Sequence, residues 1–442
     1  MSSSDKTSPG RDFSHAWRAM RHRNFRLFFA GQSISLIGTW MTRVATSWLV
    51  YRLTKSALLL GTVGFAGQIP TFLLAPLAGV IVDRIDRRKV LVWTQALAMI
   101  QSLLLAALTL SGHINGRFGI WEILALSVSQ GVINAFDMPG RQSFMVKMVE
   151  GKADLSNAIA INSTMVNAAR LIGPALAGML IAATNEGWCF LVDGVSYIAV
   201  IASLLMMRVA PNTLVHAATS MMTQMREGWE YVAASAPIRT ILMLFALLSL
   251  MGWPFMVLMP VFAAQVLHGG PHTLGFLTGA VGVGSLICAL SMALRRTVRG
   301  LTPMLAIGAG VFGIGLICFG LSHTLWLSLP MMLLTGFGMM QGLTASNTIL
   351  QTLVDEKMRG RVMSYYTMAF MGMAPFGSLL AGGLAHLIGA PLTVMISGAA
   401  CIVGALWFWT RLKAIRAQMR PIYQQLGIVP IHDLAAEESG EG

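Results

Sequence analysis

Four ionisable side chains stand inside long apolar runs of this sequence: Arg43, Asp137, Arg170 and Asp193. A charge near the centre of a bilayer costs about 2.5–3.5 kcal/mol on insertion scales, so each must face a cavity or a partner. Arg43 lies about two-thirds of the way along its run and Arg170 midway. Asp193 lies several residues into its run, and Asp137 near the far end of its own. One reading is fixed ion pairs that hold helices together. The other is transport chemistry: Arg43 and Arg170 present cations to an anionic or polar substrate, and one of the acids, Asp193 or Asp137, carries a coupling proton. Burial penalises the charged form of a carboxyl, which suits proton loading. Asp137, within Asp-Met-Pro-Gly-Arg-Gln, also fits a helix cap or a salt bridge.

A second constellation runs from Gly79 to Lys89 and holds Asp83, Arg84, Asp86, Arg87, Arg88 and Lys89 between two apolar runs. Four cations in so short a loop mark a cytoplasmic side. A gate can be built there. Asp83 would meet the helix N-terminus around Arg361 to Ser364, which favours an anion by roughly 0.3–1 kcal/mol. Arg141 could pair with it. Such a cluster forms only when that side is closed, so it would bias the state open to the other side.

Neutral polar residues add candidates for a central cavity: Gln32, Thr39, Trp40, Ser127, Gln130, Asn134, Trp253, Gln341 and Asn347. Each alone also fits an interhelical hydrogen bond. Gly173, Pro174 and Gly178, then Gly372, Pro375, Gly377, Gly382 and Gly383, permit close helix approach and bends. They suit hinges or plain packing. The 31 methionines include Met363, Met368, Met371 and Met373, and methionine can shape an adaptable pocket or simply fill space.

The elements that position these residues are membrane spans. The chain has 442 residues, 55% hydrophobic and 11% charged, with mean hydropathy +0.68. A soluble domain carries roughly 25% charged residues. The runs predict an all-α protein with twelve spans: 27–51, 57–82, 90–111, 119–140, 158–183, 187–208, 238–262, 273–294, 302–321, 325–351, 362–387 and 390–411. Most are about twenty residues, enough to cross roughly 30 Å of hydrocarbon as helix. Helix follows from continuous rather than alternating apolarity, and from the need to satisfy backbone groups internally.

Charge orients the spans. Of 31 Lys and Arg, 26 fall in segments on one side, three (Arg52, Lys55 and Arg117) on the other, and Arg43 and Arg170 within spans. That asymmetry predicts both termini in the cytoplasm. The net charge of +13 is then explained by topology and anionic lipid rather than nucleic acid. Residues 1–26 read as a cytoplasmic tail rather than a signal peptide, and 412–442 as a second tail, polar and mobile toward its end. Between the 27–208 and 238–411 halves, residues 209–237 read as an amphipathic linker on the membrane.

The halves echo each other. Gln130-Gly131 matches Gln341-Gly342, Leu60-Gly61 matches Leu274-Gly275, and Gly173 to Gly178 matches Ala374 to Gly382. Three matches in order suggest duplication. The four cysteines (Cys189, Cys288, Cys318 and Cys401) lie apart in apolar segments and read as buried hydrophobes. No metal set, cofactor motif or nucleophile recurs at helical spacing. No Gly-x-x-x-x-Gly-Lys-[Ser/Thr] occurs, so energy must come from a gradient.

The 79–89 loop resembles the Gly-x-x-x-Asp-Arg-x-Gly-Arg-Arg loop of the major facilitator superfamily, with Asp86 where that family usually has Gly. Arg170-x-x-Gly-Pro-x-x-x-Gly resembles its span-5 antiporter motif, while Ser127 stands where many antiporters carry Arg. Trp48 to Ser56, Asp137 to Ser143 and Arg359 to Ser364 together resemble the branch that contains the enterobactin exporter and macrolide efflux proteins. The likeness covers about 20–412. It implies a monomeric bacterial inner-membrane exporter, not an enzyme. The exporter would exchange a siderophore or amphipathic drug for protons as its two halves rock about a midplane site. A lysophospholipid flippase or an importer of the same fold is the alternative.

Overall fold

The computed structural model describes residues 18–149, 151–208, 221–295 and 298–425; within these, the side chains of residues 76, 80, 83, 116, 117, 152, 153, 156, 221, 224 and 425 lie outside the description. The described residues form helices and no strands. In chain order they are α1 (Arg23–Thr54), α2 (Ala57–Arg84), α3 (Arg87–Leu110), α4 (Gly116–Met145), α5 (Lys152–Ala183) and α6 (Glu186–Met206). A short α7 (Met221–Ala234) follows. Then come α8 (Ala236–Val266), α9 (Pro271–Ala293), α10 (Leu301–Gly320), α11 (Leu325–Leu353), α12 (Glu356–Ile388), α13 (Ala390–Thr410) and α14 (Leu412–Gln425).

Ten of these helices are long and apolar enough to cross a membrane. The two further spans expected from sequence correspond to α1 and α11, of 32 and 29 residues. Length is ample for both at about 1.5 Å per residue. What sets them apart is polarity: Gln32, Ser35, Thr39, Thr42 and Arg43 on α1, and Gln341, Ser346, Asn347 and Gln351 on α11. Both are embedded in the bundle, α1 against α5 and α6, α11 against α9 and α10.

α2 also packs on α4, and α3 on α4 and α6, which completes the first group of helices. In the second group α10 packs on α13, and α12 on α13. Two extensive contacts join the groups, α5 with α9 and α2 with α12, beside smaller ones of α1 and α2 with α8 and of α1 with α9. Glycine makes both of them backbone-close. A Cβ on Gly178 would fall 2.8 Å from the Pro271 carbonyl oxygen and 3.1 Å from Gly275 Cα. One on Gly61 would fall 2.5 Å from the Ser378 carbonyl oxygen and 2.9 Å from Gly382 Cα. The echoed sequence pairs therefore meet across the groups: Gly61 lies on Gly382, and Gly275 on Gly178.

These contacts lie toward one end of the bundle. The Arg-rich loops gather at the other, the basic end. There Arg23 and Asn24 donate to the Met206 and Arg208 carbonyls, and Arg88 to the Leu205 carbonyl. Asp154 holds the N-terminal segment through Arg18 at 3.2 Å and His22 at 2.9 Å. The His22 hydrogen bond keeps the Asp154 carboxyl below its ordinary range. At the opposite end Arg52 makes a two-point pair with Glu186, at 2.7 and 3.1 Å.

The linker is helical over α7 and docks on α12. Arg361 pairs with Glu227, and the Tyr365 hydroxyl donates to the Met225 carbonyl at 2.9 Å. Residues 209–220 lie outside the description, as do 426–442 of the tail. The tail begins as α14, whose Ile415, Met419 and Tyr423 are buried on one face. It packs on α8, α10, α11 and α13.

Candidate functional site

Three of the four ionisable residues picked out from sequence converge where α1, α5 and α6 meet. Arg43 lies over the Trp40 ring at 4.8 Å, and Arg170 over the same ring at 5.2 Å. Gly173, one helical turn beyond Arg170, allows this approach: its Cβ would fall 2.5 Å from that of Trp40. Arg43 is exposed although it lies deep in the bundle, within electrostatic reach of Asp193 and Tyr197. Arg170 Nε and Nη1 are buried with no hydrogen-bond partner among the described residues. Neither arginine has a carboxylate within salt-bridge distance among those residues. Fixed ion pairs therefore do not account for these two cations. Stacking on Trp40 returns about 0.5–2 kcal/mol per cation, less than the insertion cost. The pair is left attractive to an anion.

Asp193 is 2% exposed. Its Oδ2 accepts from Thr42 Oγ1 at 3.0 Å and Ser102 Oγ at 2.9 Å. Oδ1 has no hydrogen-bond partner among the described residues, and the neighbouring Thr39 hydroxyl donates to the Ser35 carbonyl at 3.0 Å. Gly38 brings α1 this near, since a Cβ there would lie 2.8 Å from Oδ1. One oxygen is held and the other is buried without a hydrogen-bond partner among the described residues, an arrangement that can take and release a proton without dismantling the site.

Asp137 differs. Thr94 and Gln95 of α3 donate to Oδ1 at 3.0 and 2.7 Å, and Arg141, one turn along α4, pairs with Oδ2. Both oxygens are engaged, so Asp137 ties α3 to α4. Removing one partner of a buried pair costs about 3–5 kcal/mol, and Arg141 is a quarter exposed, which places Asp137→Ala near the lower figure. That variant should unfold at lower temperature in detergent while surviving protein still transports. Normal stability with lost transport would give Asp137 the functional role instead.

The remaining candidates scatter. Gln130 bonds Asn134 at 3.2 Å within α4, and Asn347 accepts from Gln351 within α11. Gln341 is buried and donates to the Met304 carbonyl at 3.2 Å, a link between α10 and α11 rather than a cavity contact. Of the proposed gate, the Asp83 side chain lies outside the described residues. Arg141 is engaged by Asp137. Arg361 is engaged by Glu227, and Arg87 reaches the Ser143 carbonyl at 3.5 Å. Arg84 is exposed at the end of α2, and Gly79 has open space beside it. Pro174 contributes its carbonyl to the Gly275 contact, and Pro375 is buried in α12. Thr42, Ser102 and Tyr197 were not anticipated. Their signal was helical spacing: Thr42 adjoins Arg43, and Tyr197 lies one turn beyond Asp193.

A family model described as transmembrane secretion effector matches residues 14–431. The staphyloferrin A transporter of Staphylococcus aureus is 25% identical over 89% of this chain and 98% of its own length. The multidrug efflux pump Tap of Mycolicibacterium fortuitum is 24% identical over 81% and 88%. The enterobactin exporter EntS of Shigella boydii is 26% identical over 91% and 94%. The fold matches a bacterial homologue of the iron transporter ferroportin in its inward-facing state, with TM-score 0.66, 19% identity and coverage of 89% and 99%. These are transporters rather than enzymes. The chain is a multi-pass membrane transporter and belongs to the transmembrane secretion effector family of the major facilitator superfamily.

Proposed function

We propose that this protein exports a small anionic or amphipathic molecule in exchange for protons. The observation that carries the reading is the pair Arg43 and Arg170, cations within the bundle without a carboxylate partner among the described residues, together with Asp193, an acid with one buried oxygen that has no hydrogen-bond partner among those residues. Arg43 and Arg170 bind the anionic part of the cargo, and Asp193 carries the proton. The basic end faces the cytoplasm by the distribution of Lys and Arg, which puts both termini there, in a bacterial inner membrane. The glycine contacts then close the outer side, and the structure is the state that loads cargo from within. Rocking of residues 27–208 against 238–411 exchanges that state for its opposite. The protein acts as a monomer. The names of the relatives favour a siderophore or an amphipathic drug as cargo.

The test is efflux from purified protein in liposomes under an imposed proton gradient, with siderophores, macrolides and dyes as cargo and Arg43→Ala as control. Gradient-dependent movement of one compound, reduced at least tenfold by the substitution, is expected. Movement that ignores the gradient, or is equal in Arg43→Ala, would overturn the coupling or the anion site respectively.

A further inference from the structure

α1 keeps its partners on different faces. Gly38 and Thr42 turn toward α6, where they meet Asp193. Trp40 turns toward α5, against Gly173, and carries Arg43 and Arg170 on its ring. At 3.6 residues per turn, Trp40 stands about 160° round the helix from both Gly38 and Thr42. Asp193 therefore lies on the far face of α1 from Trp40. It is buried there, so a proton on it needs a route to solvent.

The packing around Asp193 is polar in one direction. Toward the basic end the buried faces carry Ser35 on α1, Thr94 and Gln95 on α3, Asp137 on α4, and Tyr197 and Ser203 on α6. In the other direction α3 buries Leu105 and Ala106, and α6 buries Cys189 and Phe190, up to the Arg52–Glu186 pair. α3 sets the scale. Ser102 donates to Asp193 and Gln95 to Asp137, so about 10 Å of helix separates the points where α3 touches the two acids. Tyr197 lies one turn past Asp193, toward the basic end. The Thr39 hydroxyl lies near both the Asp193 carboxyl and the Tyr197 hydroxyl, and Tyr197 is within electrostatic reach of Asp137 and Arg141. Gln95 Oε1 is buried with no hydrogen-bond partner among the described residues, and such an acceptor is where a protein interior holds a water. Arg141, paired with Asp137, is a quarter exposed, so the seam reaches solvent there. The charged groups that face Asp193 and Tyr197 are Arg43 from α1 and Asp137 and Arg141 from α4. The Cys189 thiol lies one turn back on α6, Arg170 of α5 stands on the Trp40 side, and α3 brings no ionisable group beyond Lys89.

We propose that Tyr197 relays the proton between Asp193 and the basic end, along a buried seam of α3, α4 and α6 that is separate from the cargo site. This rests on the reading above that Asp193 carries the proton. The protonated carboxyl gives its proton to the Thr39 hydroxyl, whose own proton passes to the Tyr197 oxygen. The tyrosine's proton passes to a water on Gln95 Oε1, and that water releases one to the basic end. Asp193 is left as the carboxylate, and each hydroxyl is neutral as before. Hydroxyls serve because they accept and donate at once, and each transfer needs hydrogen-bond reach or one water between. Asp137 stays ionised beside Arg141 and holds Gln95 in place. Tyr197 thus governs how fast Asp193 exchanges its proton, and not how tightly it holds it.

The test needs no cargo. Purified full-length protein in nanodiscs receives a flash-induced drop in pH from a caged proton, while time-resolved infrared absorption follows the carboxyl bands. The Asp193 band is the one that Asp193→Asn removes. In Tyr197→Phe that band should rise roughly tenfold or more slowly than in wild type, with the same midpoint pH at equilibrium, because phenylalanine keeps the ring and removes the hydroxyl alone. Tyr197→His restores a group that takes and gives a proton, and its rate should lie between the two. An unchanged rate in folded Tyr197→Phe would overturn the relay and leave Asp193 as the carrier. A changed midpoint or melting temperature with the rate unchanged would do the same, and would make the hydroxyl a brace for α6. A wild type with no band that Asp193→Asn removes, at any pH where the protein stays folded, would remove the carrier and the relay together.

Discussion

Asp193→Asn should lower gradient-driven efflux at least a hundredfold and leave the protein folded. Asparagine keeps the shape of the side chain. Its oxygen can still accept from Thr42 and Ser102, the two donors that hold Oδ2. Its amide can occupy the place of Oδ1, which has no hydrogen-bond partner to lose among the described residues. What disappears is the ability to carry a proton. A carrier that cannot change its charge can exchange cargo for cargo but cannot couple cargo to a proton gradient. Cargo exchange without net flux should therefore survive in the variant and lose its dependence on pH. Asp137→Asn is the internal comparison. That carboxylate is tied on both oxygens by Thr94, Gln95 and Arg141, so its neutralisation should cost stability before it costs coupling. Wild-type gradient-driven efflux in Asp193→Asn would end the assignment of the proton to this residue.

The contrast between the two acids also marks the limit of what the sequence tells. Both stand in apolar runs, and nothing in their spacing separates them. The difference arises from α3, which brings Thr94 and Gln95 to one acid and only Ser102 to the other. Partners forty or more residues away are set by packing, which periodicity does not encode. The Asp137–Arg141 pair was within reach, since acid and base one turn apart on a helix face each other.

Span placement was legible because continuous apolar runs leave helix as the only answer. Its errors have a physical pattern too. α12 starts at Glu356 rather than near 362, and α4 continues past Pro139 to Met145. Both extensions are polar, so apolarity could not reveal them, and α12 is held there by α7. The paired glycines were legible as a repeat but not as a contact.

The glycine pairs carry the second large expectation: Gly178→Val should open the end of the bundle that is closed in this structure. The Cβ of valine would meet the Pro271 carbonyl oxygen at 2.8 Å and Gly275 Cα at 3.1 Å. Both obstacles are backbone, and no rotamer change can move them. Overpacking of this kind costs about 1–3 kcal/mol. The cost falls only on the state in which α5 and α9 touch, so a ligand-free equilibrium should shift by roughly five- to 150-fold toward the other state. Gly61→Val should act the same way through α2 and α12, where the Ser378 carbonyl lies at 2.5 Å. Ser378 is 2% exposed, which makes it a reporter. In a background with the four native cysteines replaced, Ser378→Cys should react slowly with a membrane-impermeant maleimide. Adding Gly178→Val should speed that reaction at least tenfold, from the face opposite the basic loops, and efflux should fall because cargo can no longer be loaded. The face from which label enters then reports the orientation along with the gate. Faster labelling from the basic side would reverse the orientation, and unchanged labelling in folded protein would make the glycine seam a static joint.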